Sequence, residues 1–399
     1  MWHSRSRLCT TTSCSPPPSR GRIGVGGADP SAISRAASAD ALIFDVDGVL
    51  VDVNDSLRMV TCNAVQFYLT SILSWKTDTF YVVPRDIAFF KSAGGFNDDW
   101  DLTRAFVLLY LVKANRLAAT HATRLRRAAP TIGQVTRALR QSACGYPGLQ
   151  RLLLDPLDQA ARSWVLGGWD TELIARVFKE HFAGKKFCRE FYGFDPQYYF
   201  GPAYIDRDRP LVDPRLLAAG NWKLGLYTGR TLAESKHAIS LIGAEKLFQW
   251  EHVVTADDSI YKPNPRGLEL LAQRMGFKRA VFFGDMPDDA EAALRYRRGC
   301  SAGVPSPAAR NCRARVPALS EAEGPTPTAS DVGAEHRSAR ASCHPERSEG
   351  SHPSERPLPE ILFAYVRSGR RANLWRPPHA DIETPSVNTL LRLLLRIKP

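Results

Sequence analysis

The sequence predicts an α/β protein, a doubly wound parallel sheet with an inserted helical cap, and three observations lead there. Four short apolar runs, ALIF, KLGLY, HVV and AVFF, each end in a polar cluster. Continuous apolar strands alternating with helical patterns are the mark of a parallel sheet covered on both faces. Between the first and second runs lie about 175 residues without comparable strand signals, too many for a loop and enough for a separate helical unit.

Residues 1–40 are rich in Ser, Arg, Pro and Gly and poor in acids, so they are expected to form a disordered or mis-started tail outside the fold. The run Ala41–Phe44 follows, and FDVDGVLVD continues it. Strand side chains alternate, so Asp45 and Asp47 project together at the strand's carboxyl end before Gly48 turns the chain. Two like charges there call for a cation or a hydrogen-bond network.

The expected core comprises residues 41–56 and 215–304, and the cap residues 57–214. SLRMVTCNAVQFYLTSIL and ELIARVFKEHFAG carry helical periodicity in the cap, while Gly94-Gly95 and Gly145-Tyr146-Pro147-Gly148 read as loops. The stretch Phe89–Thr103 has two readings: a cap loop over the site with Lys91 and Asn97 as specificity contacts, or a helix start capped by Asn97 or Asp98.

After the second and third runs, TLAESKHAISLIG and PRGLELLAQRMG fit crossover helices, each closing on a glycine. Residues 305–357 hold few large apolar residues and echo themselves (SEAEG, ERSEG), which predicts a disordered insertion. In residues 358–399, NTLLRLLLRIKP recovers a helical pattern suited to a closing helix. A strand and helix are due where the insertion begins, which raises a damaged gene product as an alternative.

The 399-residue chain is 44% hydrophobic and 24% charged, ordinary for a globular protein, and no apolar run reaches membrane-spanning length. Its net charge of +12 is concentrated: residues 101–150 hold eight Lys or Arg against the single acid Asp101. Without interleaved aromatics or a nucleic-acid motif, this reads as a solvated basic face suited to an anionic substrate, and no nucleic-acid or membrane partner is expected. Eight scattered cysteines, with no CxxC pair, fit a reduced, cytoplasmic protein.

Four clusters fall at successive strand ends: Asp45-Val46-Asp47-Gly48, Thr228-Gly229-Arg230, Lys262-Pro263, and Gly284-Asp285 with Asp288 and Asp289. Singly, each has a bland account. Together they supply what phosphoryl transfer needs: a carboxylate nucleophile, hard oxygen ligands for Mg²⁺, donors for phosphate oxygens, and a proton shuttle. Asp45 and Asp285 suit the metal, Thr228, Gly229 and Lys262 the phosphate, and Asp47 the proton. Arg230 either touches phosphate or pairs with a cap acid.

This order, DxDG, TG, KP and GDxxxD, closely resembles the haloacid dehalogenase superfamily over about Ala41–Val304. The resemblance implies a Rossmann-like core with the cap placement of subfamily I, type A. It implies Asp45 as nucleophile, Asp47 as general acid/base whose backbone carbonyl also ligates Mg²⁺, Asp285 as metal ligand, and Asp289 as the motif's second acid. Thr228 and Lys262 match its phosphate-binding positions. Dehalogenation has no use for an acid two residues after the nucleophile, so a Mg²⁺-dependent phosphatase acting on a small phosphorylated metabolite through an aspartyl-phosphate is expected. A phosphomutase shares these motifs, and a noncatalytic phospholigand binder is a further alternative.

Overall fold

The computed structural model describes residues 30–96, 98–142, 145–299, 358–367, 377 and 379–397. Six parallel strands form the main sheet in the order β5-β4-β1-β6-β7-β8. These are β1 (Ala41–Phe44), β4 (Lys223–Tyr227), β5 (Val253–Val254), β6 (Arg279–Gly284), β7 (Glu360–Val366) and β8 (Ile382–Thr384). Strand alternation sorts the apolar residues onto two faces. Leu42, Phe44, Val281, Phe283 and Leu362 look to one side, and Ala41, Ile43, Phe282 and Phe363 to the other. The first face is covered by α1 (Pro30–Ala37), α11 (Leu232–Leu241) and α14 (Val387–Ile397), the second by α12 (Arg266–Met275) and α13 (Pro287–Arg297). Phe44 stacks on Phe283 across β1 and β6, with ring centroids 4.9 Å apart.

Three sequence expectations are corrected here. Residues 30–37 are not tail: they form α1, whose Ala32, Ala36 and Ala37 are buried in the core. The missing strand is supplied from beyond residues 305–357, as β7 pairs with β6 along six residues and β8 extends the sheet. An unpaired β6 edge is therefore not what the chain builds. Residues 145–148 are not a loop but open α7 (Gly145–Leu154), with Pro147 in a first turn that needs no donor from it. Residues 1–29 and the insertion 305–357 lie outside the described residues.

The cap occupies the connection between β1 and β4. Its helices are α2 (Leu57–Phe67), α3 (Pro84–Lys91), α4 (Asp99–Leu117), α5 (Ala122–Arg127), α6 (Ile132–Ser142), α7, α8 (Gln159–Gly167) and α9 (Thr171–Tyr192). A short helix α10 (Pro214–Ala218) leads back to β4. The cap has a core of its own, centred on α4, where Phe106 to Tyr110 are fully buried. Its two linkers run side by side as an antiparallel ladder of β2 (Val51–Asp52) and β3 (Arg209–Pro210). No helix among the described residues is long and apolar enough to cross a membrane.

One buried charge in the cap yields a stability prediction. Lys113 is 1% exposed, and its Nζ donates to the Leu125 carbonyl at 2.7 Å. Burial, reinforced by Arg126, pushes its pKa from an ordinary 10.5 down to about 7. The folded chain then binds fewer protons than the unfolded one between those values, so stability rises with pH across about 7 to 10.5. Lys113→Met is expected to flatten that rise and to stabilise the protein at pH 7 by on the order of 2 kcal/mol, after loss of the hydrogen bond. Urea midpoints of both proteins at pH 7 and pH 9 check this; parallel pH slopes would contradict it.

Candidate active site

Asp45 follows β1 directly, and its N–H donates to the Phe283 carbonyl at 2.9 Å, holding the turn against β6. Asp45 as a whole is 4% exposed. After the next polar cluster, Lys262 places its Nζ 2.8 Å from Asp45 Oδ1 and 2.6 Å from Asp289 Oδ1. The other oxygen of Asp289 accepts the N–H groups of Asp285 and Met286 at 3.1 and 2.9 Å. Asp289 thus ties the lysine to the loop after β6. Gly284 permits this approach, since a Cβ there would stand 2.4 Å from the Asp289 Cβ.

Asp45, Asp285 and Asp289 bring carboxylate oxygens within 4.8 Å of one another, all buried. Burial and the neighbouring carboxylates push the Asp45 carboxyl up to about 8 against the pull of Lys262. Burial works against the Lys262 ammonium, yet Asp289 and Asp45 hold its pKa above the ordinary value. The cluster is short of positive charge, and its donors are the hard oxygens that Mg²⁺ takes. The residues present therefore fit such an ion.

Thr228 follows β4 directly, and its N–H donates to the Val254 carbonyl at 3.0 Å. Two residues on, Arg230 is 3% exposed. Its Nε donates to Asp47 Oδ1 at 2.8 Å and its Nη2 to Asp208 Oδ2 at 2.6 Å. The Ser56 hydroxyl donates to the other oxygen of Asp208. A buried chain therefore runs from both cap linkers, Ser56 in one and Asp208 in the other, through Arg230 to Asp47. Of the two roles open to Arg230, pairing with acids is what the geometry contains. Asp208→Asn keeps the shape but leaves the guanidinium half-compensated in a dry site, at an expected cost of about 2 to 4 kcal/mol. Chemical denaturation reads this, and a change under about 0.5 kcal/mol would contradict it.

The cap closes over these groups. Lys91, Asp98, Asp99 and Trp100 line the cleft with Asp45, Asp47, Gly229 and Arg230. The helix start read in the Phe89–Thr103 stretch is present, and residues of the same stretch line the cleft. Asp98 is the N-cap of α4, accepting the Trp100 N–H at 3.0 Å, and the same residues form the cleft's roof. Lys91 Nζ lies 2.8 Å from Asp99 Oδ1, in a pair that is nearly buried. Asn97 lies outside the described residues. The loop is pinned by the Gly95 N–H on Asp288 Oδ1 at 3.4 Å, and a Cβ on Gly95 would stand 2.6 Å from the Gly145 Cα.

The structure thus brings Asp45, Asp285, Asp289 and Lys262 together, and Asp47 with Arg230. Sequence reading missed Asp208 and Glu234. Glu234 was visible only as the acid of a capping box with Thr231, and it also accepts the Tyr192 hydroxyl. Asp208 carries no local signal in DRDRP; only the fold brings it to Arg230. Phe178 and Phe182, on α9, were legible as helical apolar residues but not as cleft walls.

A carboxylate cluster and a lysine at the strand ends of a parallel sheet, roofed by an inserted cap, form an arrangement found in a class of α/β hydrolases. The family model of haloacid dehalogenase-like hydrolases matches residues 39–296, more than half of the chain, and the chain belongs to that family. Among solved structures, the phosphatase Tt82 from Thermococcus thioreducens is similar at 23% identity and a TM-score of 0.41, covering 64% of this chain and 88% of its own. A predicted phosphoglycolate phosphatase from Haemophilus somnus is similar at 15% identity and a TM-score of 0.33, over 64% of this chain and 80% of that one. A hydrolase from Pseudomonas syringae is similar at 15% identity and a TM-score of 0.30, over 64% and 81%. No curated protein sequence matches.

Proposed function

We propose that the chain is a Mg²⁺-dependent phosphatase that hydrolyses a small phosphomonoester through an aspartyl-phosphate on Asp45. The observation that carries this reading is the buried trio Asp45, Asp285 and Asp289 locked to Lys262 at the strand ends. In the first half-reaction an Asp45 carboxylate oxygen bonds to phosphorus while the bond from phosphorus to the leaving oxygen breaks, and Asp47 gives that oxygen its proton. In the second, water attacks the same phosphorus, the Asp45 oxygen leaves, and Asp47 takes the water's proton.

Arg230 holds one oxygen of Asp47, which leaves the other for the proton at the leaving-group side. Lys262, the Thr228 hydroxyl and the Gly229 N–H are suited to the non-bridging oxygens, and Asp289 keeps Lys262 in place. Asp45, Asp285 and the Asp47 backbone carbonyl would hold Mg²⁺, whose charge offsets that of the phosphate when it is bound. Asn97 is proposed as a cap contact to the leaving group, and Lys91, paired with Asp99, as part of the cleft wall. A cytoplasmic setting suits the two buried free cysteines, Cys62 and Cys188.

Inorganic phosphate release from p-nitrophenyl phosphate and a panel of phosphorylated metabolites, measured with Mg²⁺ and after chelation, tests the reading. Release that disappears with EDTA and returns with Mg²⁺ is expected. Folded protein that releases no phosphate under either condition would remove it.

A further inference from the structure

The charge balance of the cleft bears on the substrate. Five carboxylates line it, Asp45, Asp47, Asp98, Asp99 and Glu234, against two cations, Lys91 and Arg230. Both cations are already engaged. Lys91 is paired with Asp99 at 2.8 Å, and Arg230 bridges Asp47 and Asp208 at 2.7 and 2.6 Å. Lys262, behind Asp45, is held by two acids. A fourth cation, Lys179, lies against the rings of Trp100 and Tyr192, 4.7 and 5.4 Å from their centroids. Among the described residues, the two cations that line the cleft each have a carboxylate partner, whereas Lys179 rests on aromatic rings.

A phosphate group is itself dianionic, and a bound Mg²⁺ would balance it. A second anion at the far end of the leaving group would need a cation of its own. Taking Lys91 for that purpose would strand Asp99, which is buried, and breaking such a pair costs more than the new contact returns. The roof around the far end is instead made of Asp98, Asp99 and the rings of Trp100, Phe178 and Phe182. Carboxylates together with aromatic faces favour an ammonium and tolerate a hydroxyl. Burial, with Asp101 adding to it, raises the Asp98 carboxyl well above its ordinary range against the pull of Arg104.

Resting on the phosphatase reading, we infer that the substrate's leaving alcohol carries no second anionic group and that an amino alcohol phosphate is preferred. Asp99 is then a specificity residue, because it holds Lys91 away from substrate anions.

Three two-carbon phosphomonoesters that differ only at the far end test this: O-phosphoethanolamine, 2-hydroxyethyl phosphate and phosphoglycolate. Each is measured as a substrate and as a competitive inhibitor of p-nitrophenyl phosphate hydrolysis, with Mg²⁺ present. O-phosphoethanolamine is expected to exceed phosphoglycolate by at least about 10-fold in kcat/KM, or in inhibition constant if neither is turned over, with the hydroxyl compound between them. Phosphoglycolate matching or exceeding the amine overturns the inference while leaving the phosphatase reading intact. Failure to hydrolyse p-nitrophenyl phosphate at all would instead remove the phosphatase reading. Asp99→Asn, which frees Lys91, is expected to narrow the gap by about 10-fold in favour of phosphoglycolate, a gain that a purely structural role would not produce. A folded variant with unchanged selectivity overturns the role of Asp99, and the wild-type ranking stands as a test by itself.

Discussion

Asp45→Asn is expected to lower Mg²⁺-dependent phosphate release by on the order of 10⁴-fold while leaving a cooperative thermal transition in place. The amide has nearly the shape of the carboxylate, so the turn held by the Asp45 N–H and the Phe283 carbonyl survives. Lys262 keeps its contact with Asp289 at 2.6 Å, so the buried ammonium is not stranded. What is lost is the oxygen nucleophile and one hard ligand for the ion. Single-turnover phosphate release, run beside a melting curve of the same preparation, separates lost chemistry from lost fold. A folded variant that keeps more than about a tenth of the wild-type rate would mean that Asp45 is not the attacking group.

Lys262→Ala is expected to act on stability as well as on rate. The Lys262 side chain is 1% exposed between Asp45 and Asp289, and its removal leaves two buried carboxylates without their cation. Breaking a buried pair in this way costs about 3 to 5 kcal/mol, a large share of a typical domain's stability. Because the deficit is one of positive charge, saturating Mg²⁺ is expected to restore more stability to the variant than it adds to the wild type. Urea midpoints with and without Mg²⁺ read both effects. An unchanged midpoint without metal would show that the two carboxylates carry no charge in the folded state, and would remove this account of the site.

The sequence by itself determined the first strands of the sheet and the polar clusters at their ends. Apolar runs ending in DxDG, TG, KP and GDxxxD announce themselves because a parallel strand is continuous in hydrophobicity and a polar cluster at its end has nowhere else to sit. Asp45, Lys262, Asp285 and Asp289 were legible for that reason, as was the cap, by its length and helical period. β7 is not among the predicted strands although EILFAYV is as apolar as the other runs, because it stands beyond an insertion that departs from globular composition. α1 carries little sequence signal, since eight residues rich in Ala and Ser bury only small side chains.

Only the tertiary structure decided how those residues share charge. Nothing local links Asp208 to Arg230, or Lys262 to both Asp45 and Asp289, because each ion pair joins segments that meet through folding alone. The same holds for the roof of the cleft. A lysine at position 91 reads in sequence as a cation available to a substrate, whereas in the fold it is spent on Asp99, eight residues away across the Gly94-Gly95 turn. The reason is physical: hydrophobic periodicity is written along the chain, but electrostatic compensation in a buried site is set by three-dimensional neighbours and by the low dielectric that makes each unpaired charge costly.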